Sequence, residues 1–504
     1  MSKNKLIAKN TIFMATRTLI SLFVSFYTTR IILHTLGVDD YGLFTVIYGV
    51  VAFFVFIVSS FNDSVQRFLS VSMGKNNILQ VKNIFKNSIA IYLFCGFVFL
   101  SILLTCKSLV LNHFLKLPPE SLDTASSLYI VSSFAVFITI IQTPFNALVL
   151  SHERMSFYAY MAIFDALSKL LVTYLLVLMV GAKVVIYSIL LLTTSFLIFC
   201  IYFLYCYSRF KYVFSGGMLS RVVIKEISVF SFWNVFGNFA YVCRTQGINI
   251  LINVFFGVAV NAAYAVSVSV INAVNSFVQS FVTAIRPQIF KTYGERDLER
   301  FYLLITTGSK YTFSFLFILC CPILIAATSV LQFWLVDVPD YSVLFVRAFL
   351  IVALIDSFSN CLISGIQSAG KIKTYQIVVG SVIFLNLPFA YLLFFLGASP
   401  VSLFYSLLLI SLISLPLRLM FLTKITKFDS WYYARTVILP CACFSLLSTL
   451  VNYGLKSFFA LNNIFGLLSF FIVSGFVSLF FSYTIVMSKN ERIAVFKAIS
   501  RKFK

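Results

Sequence analysis

Long apolar segments follow one another from one end of this 504-residue chain to the other, and only short loops separate them. The hydrocarbon core of a bilayer is ~30 Å thick and an α-helix rises ~1.5 Å per residue, so one crossing takes roughly 20 apolar residues. Segments of that length recur here, and with 61% hydrophobic against 11% charged residues too little polar surface is left for a soluble domain. The sequence predicts an all-α polytopic membrane protein.

Breaks at charged and Pro/Gly-containing loops give fourteen expected spans. Six lie in the first half, at about 11–35, 41–66, 87–106, 125–150, 156–181 and 184–206. Eight follow, at about 227–255, 259–285, 302–329, 342–368, 374–397, 400–422, 432–455 and 463–487. Every second loop is basic. Lys3, Lys5 and Lys9 open the series, then Lys75, Lys82 and Lys86; Arg154; Arg209, Lys211, Arg221 and Lys225; Lys291, Arg296 and Arg300; Lys371 and Lys373; Lys424 and Lys427. The other loops hold only Lys107, Lys116, Lys183 and Lys456, beside Asp39, Asp40, Asp337 and Asp340. Lys/Arg-rich loops stay on the cytoplasmic side, so both termini and the loop 207–226 are expected there.

This placement accounts for the net charge of +22 without nucleic acid as a partner: the excess meets anionic lipid headgroups. The tail is expected to form an interfacial helix, with Ile493, Phe496, Ile499 and Phe503 on one side and Lys497, Arg501, Lys502 and Lys504 elsewhere. The first apolar stretch contains Arg17 and runs too long for a cleavable signal, so it is expected to stay as a span. Ten cysteines lie in or beside apolar spans without zinc-like pairs, and His34, His113 and His152 are isolated, so no metal site is expected.

The chain looks internally duplicated. Leu36-Gly37-Val38 opens the second span and Phe256-Gly257-Val258 the eighth, 220 residues later; Ser60-Phe61 recurs as Ser280-Phe281 at the same offset. The expected plan is an N-lobe over 1–206, a connector over 207–226 and a C-lobe over 227–423. Two added spans over 424–487 and the basic tail 488–504 complete it. Six spans preserve orientation, so the two lobes are expected to be related by an axis along the membrane normal.

Polar groups facing lipid are costly, so polar residues at helical spacing are expected to face another helix or water. Asn234, Asn238, Tyr241, Thr245, Asn249 and Asn253 form such a row on the seventh span, and Tyr264, Asn272, Asn275, Gln279, Thr283 and Arg286 on the eighth. Asn10, Arg17, Ser21 and Thr28 share a face of the first. Interhelical hydrogen bonding explains any one row, and three together favour a hydrated cavity. Charges within spans are Arg17, Arg30, Lys169, Arg244 and Arg347 against Asp165 and Asp356. Asp165 and Lys169 are one turn apart and are expected to pair. The remaining cation excess suits an anionic substrate, and guanidinium groups fit phosphate oxygens. Asp356 is a candidate for coupling to Na⁺ or H⁺, or alternatively the partner of an Arg on another helix.

Tyr27-Thr28-Thr29-Arg30 with Leu36-Gly37-Val38-Asp39-Asp40-Tyr41-Gly42, then Val260-Asn261-Ala262-Ala263 and Arg286-Pro287-Gln288-Ile289, carry a family resemblance. Trp334-Leu335 before Pro339 and Tyr341, and Ala369-Gly370-Lys371-Ile372-Lys373 with Tyr375-Gln376, continue it. The chain resembles the polysaccharide transport family, the O-antigen and capsule repeat-unit flippases of the multidrug/oligosaccharidyl-lipid/polysaccharide (MOP) exporter superfamily. The resemblance implies a V-shaped, MATE-like arrangement of two six-helix lobes, with spans 1, 2, 7 and 8 lining a central cavity. It also implies the bacterial inner membrane, a lipid-linked oligosaccharide as substrate, alternating access, and a polysaccharide polymerase or other assembly proteins as neighbours.

That family has no sharp site signature, so the site is placed from local sequence alone. Arg17, Arg244 and Arg286 are expected to hold pyrophosphate, and Asn234, Asn238, Asn249, Asn272, Asn275 and Gln279 to line the glycan cavity. No cofactor and no catalysis are expected. The alternatives are a cation-coupled multidrug extruder of the same superfamily, a polymerase or ligase acting on lipid-linked sugars, and a non-transporting component of glycan assembly.

Overall fold

The computed structural model describes residues 3–52, 55–114, 119–179, 181–335, 337–489 and 491–493. The expected tail helix beyond Ile493 lies outside the described residues. Every regular element among those described is helical. In order they include α1 (Lys3–Ala52), α2 (Val55–Gly74), α3 (Ile78–Leu109), α4 (Leu122–Ser151), α5 (Met155–Leu178), α6 (Lys183–Arg209), the short α7 (Lys211–Phe214) and α8 (Arg221–Glu295). Then follow α9 (Leu298–Ile325), α10 (Ala327–Trp334), α11 (Ser342–Ser357), α12 (Ser359–Ala369), α13 (Lys373–Phe384), α14 (Asn386–Phe395), α15 (Ser402–Thr426), α16 (Ser430–Tyr433), α17 (Leu439–Leu455) and α18 (Ile464–Phe481).

Eleven stretches among the described residues are long and apolar enough to cross a membrane. The expected spans at 11–35, 41–66 and 227–255 do not add to that number. The first contributes a shorter apolar stretch, Phe13–Ser25, and in the second residues 53 and 54 lie outside the described chain. The third carries the row from Asn234 to Asn253, whose amides and guanidinium lower its hydropathy. Large apolar side chains such as Leu178 and Phe465 face outward, while Ser231, Ser267, Ser364 and Ser474 are fully buried within an otherwise apolar core. Small polar residues let membrane helices approach closely, and the Ser267 and Ser364 hydroxyls bond back to the Ala263 and Asn360 carbonyls.

The duplication is visible in the backbone. Gly37 (φ 81°, ψ 174°) interrupts α1 and Gly257 (φ 78°, ψ −175°) interrupts α8, a conformation that costs a Cβ-bearing residue strain. Further along, Asn76 (φ 53°) and Arg296 (φ 60°) occupy the left-handed region. The next residues, Asn77 and Asp297, cap α3 and α9 by accepting from the backbone N–H of Gln80 and Arg300. Each pair is separated by 220 residues (257 − 37, 296 − 76, 297 − 77), the offset of the sequence repeat.

The chain divides into two compact units. The first runs through Asn238 and includes Phe290–Arg296; the second comprises Phe239–Ile289 and the chain from Asp297 onward. The division therefore falls inside α8 and not at the expected connector, for a physical reason. Segment 215–220 is bolted to α3. Lys86 Nζ donates to the Gly217 carbonyl (2.9 Å), Asn83 Oδ1 accepts from Met218 N (2.8 Å), and Asn87 both accepts from Ser220 N (2.9 Å) and donates to the Met218 carbonyl (2.8 Å).

Within the first unit α4 packs against α1, α2, α3 and α6. Phe145 is its aromatic centre, with edge-on contacts to Phe85, Phe199 and Phe203. The ends of α2 and α8 cross glycine to backbone: a Cβ on Gly74 would overlap the Lys291 carbonyl, and one on Gly294 the Val71 carbonyl. Those four residues are again two pairs 220 apart (294 − 74, 291 − 71), so the repeat makes a reciprocal contact with itself. Glu153, in the α4–α5 turn, pairs with Lys291 beside this crossing. Its neighbour His152 stacks on Phe210 (4.0 Å between centroids). With Nδ1 2.9 Å from the Leu148 carbonyl and Nε2 2.8 Å from the Tyr212 hydroxyl, the neutral ring donates to the first and accepts from the second. Burial, helped by Lys291 and Arg154, holds its pKa down at about 4.

In the second unit α9 packs against α11, α12, α17 and α18. Phe313 stacks on Phe358 (4.6 Å) and Phe317 meets Phe444 (4.8 Å). The added helices are fastened by a buried polar knot. Ser448 and Ser478 hydroxyls lie 2.9 Å apart, and the Asn452 amide reaches Ser478 Oγ (3.4 Å) and Cys321 Sγ on α9 (3.6 Å).

Candidate functional site

The polar row on the first half of α8 splits into two kinds of residue. In the first unit Asn234 is 3% exposed and donates to Ser64 Oγ (3.1 Å), and Asn238 donates to Ser60 Oγ (2.6 Å). These two amides fasten α8 to α2, the interhelical use of such a row. In the second unit the row continues with Tyr241, Thr245, Asn249 and Asn253, and Arg244 lies beside it. The Thr245 hydroxyl bonds back to the Tyr241 and Val242 carbonyls, and the Thr245 carbonyl accepts from the Tyr264 hydroxyl (3.1 Å). That bond ties the two arms of α8 together on either side of the Gly257 kink.

Arg244 is 8% exposed. Its Nη2 lies 3.8 Å from Asp356 Oδ2 on α11, and the aspartate side chain is 34% exposed. At 3.8 Å the two groups attract without forming a hydrogen bond, which needs about 2.7–3.2 Å. No hydrogen bond from the Arg244 guanidinium is made among the described residues. Two expectations, an anion-binding Arg and a coupling Asp, thus become one constellation, and Asp356 has an Arg of another helix as its partner.

The second arm of α8 has a clean helical division of faces. Val274, Val278, Val282 and Ile285 are buried, whereas Asn272 and Gln279 are exposed and Asn275 half-buried, as is Asn249 on the first arm. Arg286 is half-buried in the same unit, within electrostatic range of the Cys361 thiol. Arg17 belongs to the first unit, where its guanidinium stands 5.0 Å from the centroid of the Tyr158 ring while its buried Nε has no hydrogen-bond acceptor among the described residues. Lys169 and Asp165 pair at 2.8 Å as their spacing predicts. Arg347 Nε donates to the Leu324 carbonyl (3.1 Å). The side chain of Arg30 lies outside the described residues.

Sequence reasoning missed four charged residues within its own spans: Asp63, Lys310, Arg418 and Arg435. Position inside an apolar segment was the signal that should have found them. Arg418 is 7% exposed and donates to Ser359 Oγ (2.6 Å), so it joins α15 to α12. Among the described residues no group of three His, Cys, Asp or Glu side chains is placed to hold a metal.

A sequence profile described as polysaccharide biosynthesis protein matches residues 7–293, more than half of the chain. The chain belongs to the polysaccharide biosynthesis protein family. Comparison with curated protein sequences finds no match. Among solved structures, this family member is similar to MATE in complex with MaL6 (TM-score 0.72, 12% identity, covering 85% of this chain and 100% of that one). An outward-facing multidrug resistance MATE transporter of the MOP superfamily is as similar (0.72, 12%, 85% and 99%). So is a MOP-superfamily transporter from Pyrococcus furiosus for which reverse polarity of the binding pocket suggests a different function (0.71, 12%, 84% and 98%). At this identity the likeness shows the fold. Family and fold together bear out the resemblance to the polysaccharide transport branch of the MOP superfamily, and the protein is a multi-pass membrane protein.

Proposed function

We propose that this protein is a flippase that carries oligosaccharide repeat units, linked through pyrophosphate to a polyisoprenoid lipid, across the bacterial inner membrane by alternating access. The product would feed O-antigen (lipopolysaccharide), capsule or exopolysaccharide assembly. The observation that carries this reading is Arg244: a buried guanidinium on a polar membrane helix whose acidic partner stands too far off to hydrogen-bond it. Pyrophosphate oxygens can approach the guanidinium fork to hydrogen-bonding distance, which the Asp356 carboxylate at 3.8 Å does not. Substrate then competes with Asp356 for Arg244, and the released carboxylate takes up H⁺ or Na⁺, which couples transport to an ion gradient without a cofactor. Arg286, in the same unit, is a further phosphate contact in this scheme, and Asn249, Asn272, Asn275 and Gln279 meet the glycan. No bond is made or broken, so the protein is not an enzyme. Both termini are placed in the cytoplasm by the Lys/Arg bias, and a polymerase is the expected downstream neighbour. A cation-coupled drug extruder fits less well, because Asp356 is already neutralised by Arg244.

Flipping of a defined lipid-pyrophosphate oligosaccharide in proteoliposomes tests the reading. Arg244→Ala should abolish it and Arg244→Lys restore only part. Abundance should hold in both, since Asp356 is a third exposed and stays hydrated when its partner is removed. A structural ion pair would instead cost ~3–5 kcal/mol on breaking and deplete the protein. Wild-type flipping by Arg244→Ala would remove this residue from the site.

A further inference from the structure

Two of the cations that the sequence reading passed over share one pocket in the second unit. Lys310 on α9 and Arg435, five residues into the helical run that starts at Ser430, line a cavity of about 470 Å³. Tyr432, Thr436, Pro440, Ile485, Val486, Met487 and Ser488 complete its wall. Neither cation forms an ion pair among the described residues. Two carboxylates close in sequence to residues of the wall are both engaged: Asp429 accepts from Trp431 N and Tyr432 N (2.9 Å each), and Glu491 accepts from Ser488 N (2.7 Å) and interacts with Tyr311. The Thr436 hydroxyl is likewise committed, donating to the Tyr432 carbonyl (2.7 Å).

The level of the pocket is set by its own elements. The last helical run ends at Val486 and the run carrying Arg435 begins at Ser430, both on the side that the Lys/Arg bias assigns to the cytoplasm. Two like charges in a pocket that is otherwise largely apolar repel one another, and each is costly at membrane depth unless an anion joins them. Basic pockets between membrane helices on the cytoplasmic side suit phosphate headgroups. We propose that this pocket binds the phosphodiester of an anionic phospholipid, with Lys310 and Arg435 as the cationic contacts and Tyr432 and Ser488 hydroxyls as donors. Pro440, Ile485, Val486 and Met487 then face the first carbons of the acyl chains. That apolar half of the wall is why the ligand is a lipid and not free phosphate. The two added helices, knotted to α9 through Asn452, thereby gain a role as one side of a lipid clamp. The proposal does not depend on what the protein transports.

Native mass spectrometry of the delipidated full-length protein tests it, with dioleoylphosphatidylglycerol, dioleoylphosphatidylcholine and inorganic pyrophosphate titrated in parallel. Wild type should retain phosphatidylglycerol over phosphatidylcholine. Lys310→Gln/Arg435→Gln should bind phosphatidylglycerol roughly 30-fold more weakly, and Arg435→Gln alone, at the exposed edge, about fivefold. The single variant keeps the test open should the double variant fold poorly. Equal binding of the two lipids by wild type, undiminished phosphatidylglycerol binding by Arg435→Gln, or pyrophosphate binding that is as tight as phosphatidylglycerol and is weakened by Arg435→Gln would each overturn the assignment.

Discussion

Substituting Gly294 by Ala places a methyl group against the Val71 carbonyl, and the consequence follows from what surrounds it. Val71 and Gly294 meet through backbone, so no side chain can rotate away; one helix end must move. Overpacking costs about 1–3 kcal/mol in ordinary cores, and a backbone neighbour puts this site at the upper end. Gly294 is the second-last residue of α8, so Ala returns at most the about 1 kcal/mol of helix propensity that an interior site would give. The net expectation is a loss of about 2 kcal/mol, read as a lower melting temperature of the detergent-purified protein. Gly475→Ala on α18 is the control, because a Cβ there meets nothing within 4 Å; that variant should melt at or above wild type. Gly74→Ala should resemble Gly294→Ala. The double variant should cost less than the sum, since one displacement relieves both overlaps of the reciprocal crossing. Equal melting of Gly294→Ala and Gly475→Ala would refute the reasoning, and fully additive losses would refute the reciprocity.

The His152 ring is held neutral in the fold, with its pKa at about 4 against an ordinary 6.5. A depressed value contributes stability that is present above 6.5 and lost as pH falls toward 4. The melting temperature should therefore drop between pH 7 and pH 5 by the equivalent of about 2 kcal/mol, and His152→Gln, although less stable at pH 7, should show a flatter profile. Single cysteines at Asn272 and Gln279, in a background without native cysteines, should react with hydrophilic thiol reagents faster than cysteines at Val274 and Val278; equal rates would end the polar-face reading of α8. Asn452→Leu removes the amide that joins Ser448, Ser478 and Cys321, and a loss of about 1 kcal/mol is expected from unfolding measurements.

Local rules were enough to read the fold class. Apolar length fixed membrane helices, and Gly37 and Gly257 marked both the helix interruptions and the repeat, because a positive φ is a property of one residue and shows in its identity. The reciprocal use of Gly74 and Gly294 was not legible. A close backbone approach involves a partner far along the chain, and nothing at position 74 names position 291. For the same reason the seating of 215–220 on α3 is not legible in the connector's own sequence. Asn83, Asn87 and Lys86 look like an ordinary basic helix start until Gly217, Met218 and Ser220 are seen lying on them.

Charge in the membrane obeys the same distinction. Asp165 and Lys169 are four residues apart on one helix, so their pairing is readable from spacing. Arg244 and Asp356 are 112 residues apart (356 − 244), and only the fold brings α8 and α11 together. An excess of cations counted along the sequence is therefore a poor guide to where an anion binds, because cross-helix pairs must be subtracted first. Once Arg244 is set against Asp356, and Arg347 and Arg418 against the Leu324 carbonyl and Ser359 hydroxyl, Lys310 and Arg435 stand out among the described residues as two cations on one pocket wall that carries no carboxylate. Arg244 differs from them in kind. Its partner is present but too distant to saturate it, which suits a group that must exchange partners during a cycle, whereas an unopposed pair in a fixed pocket suits a ligand that stays.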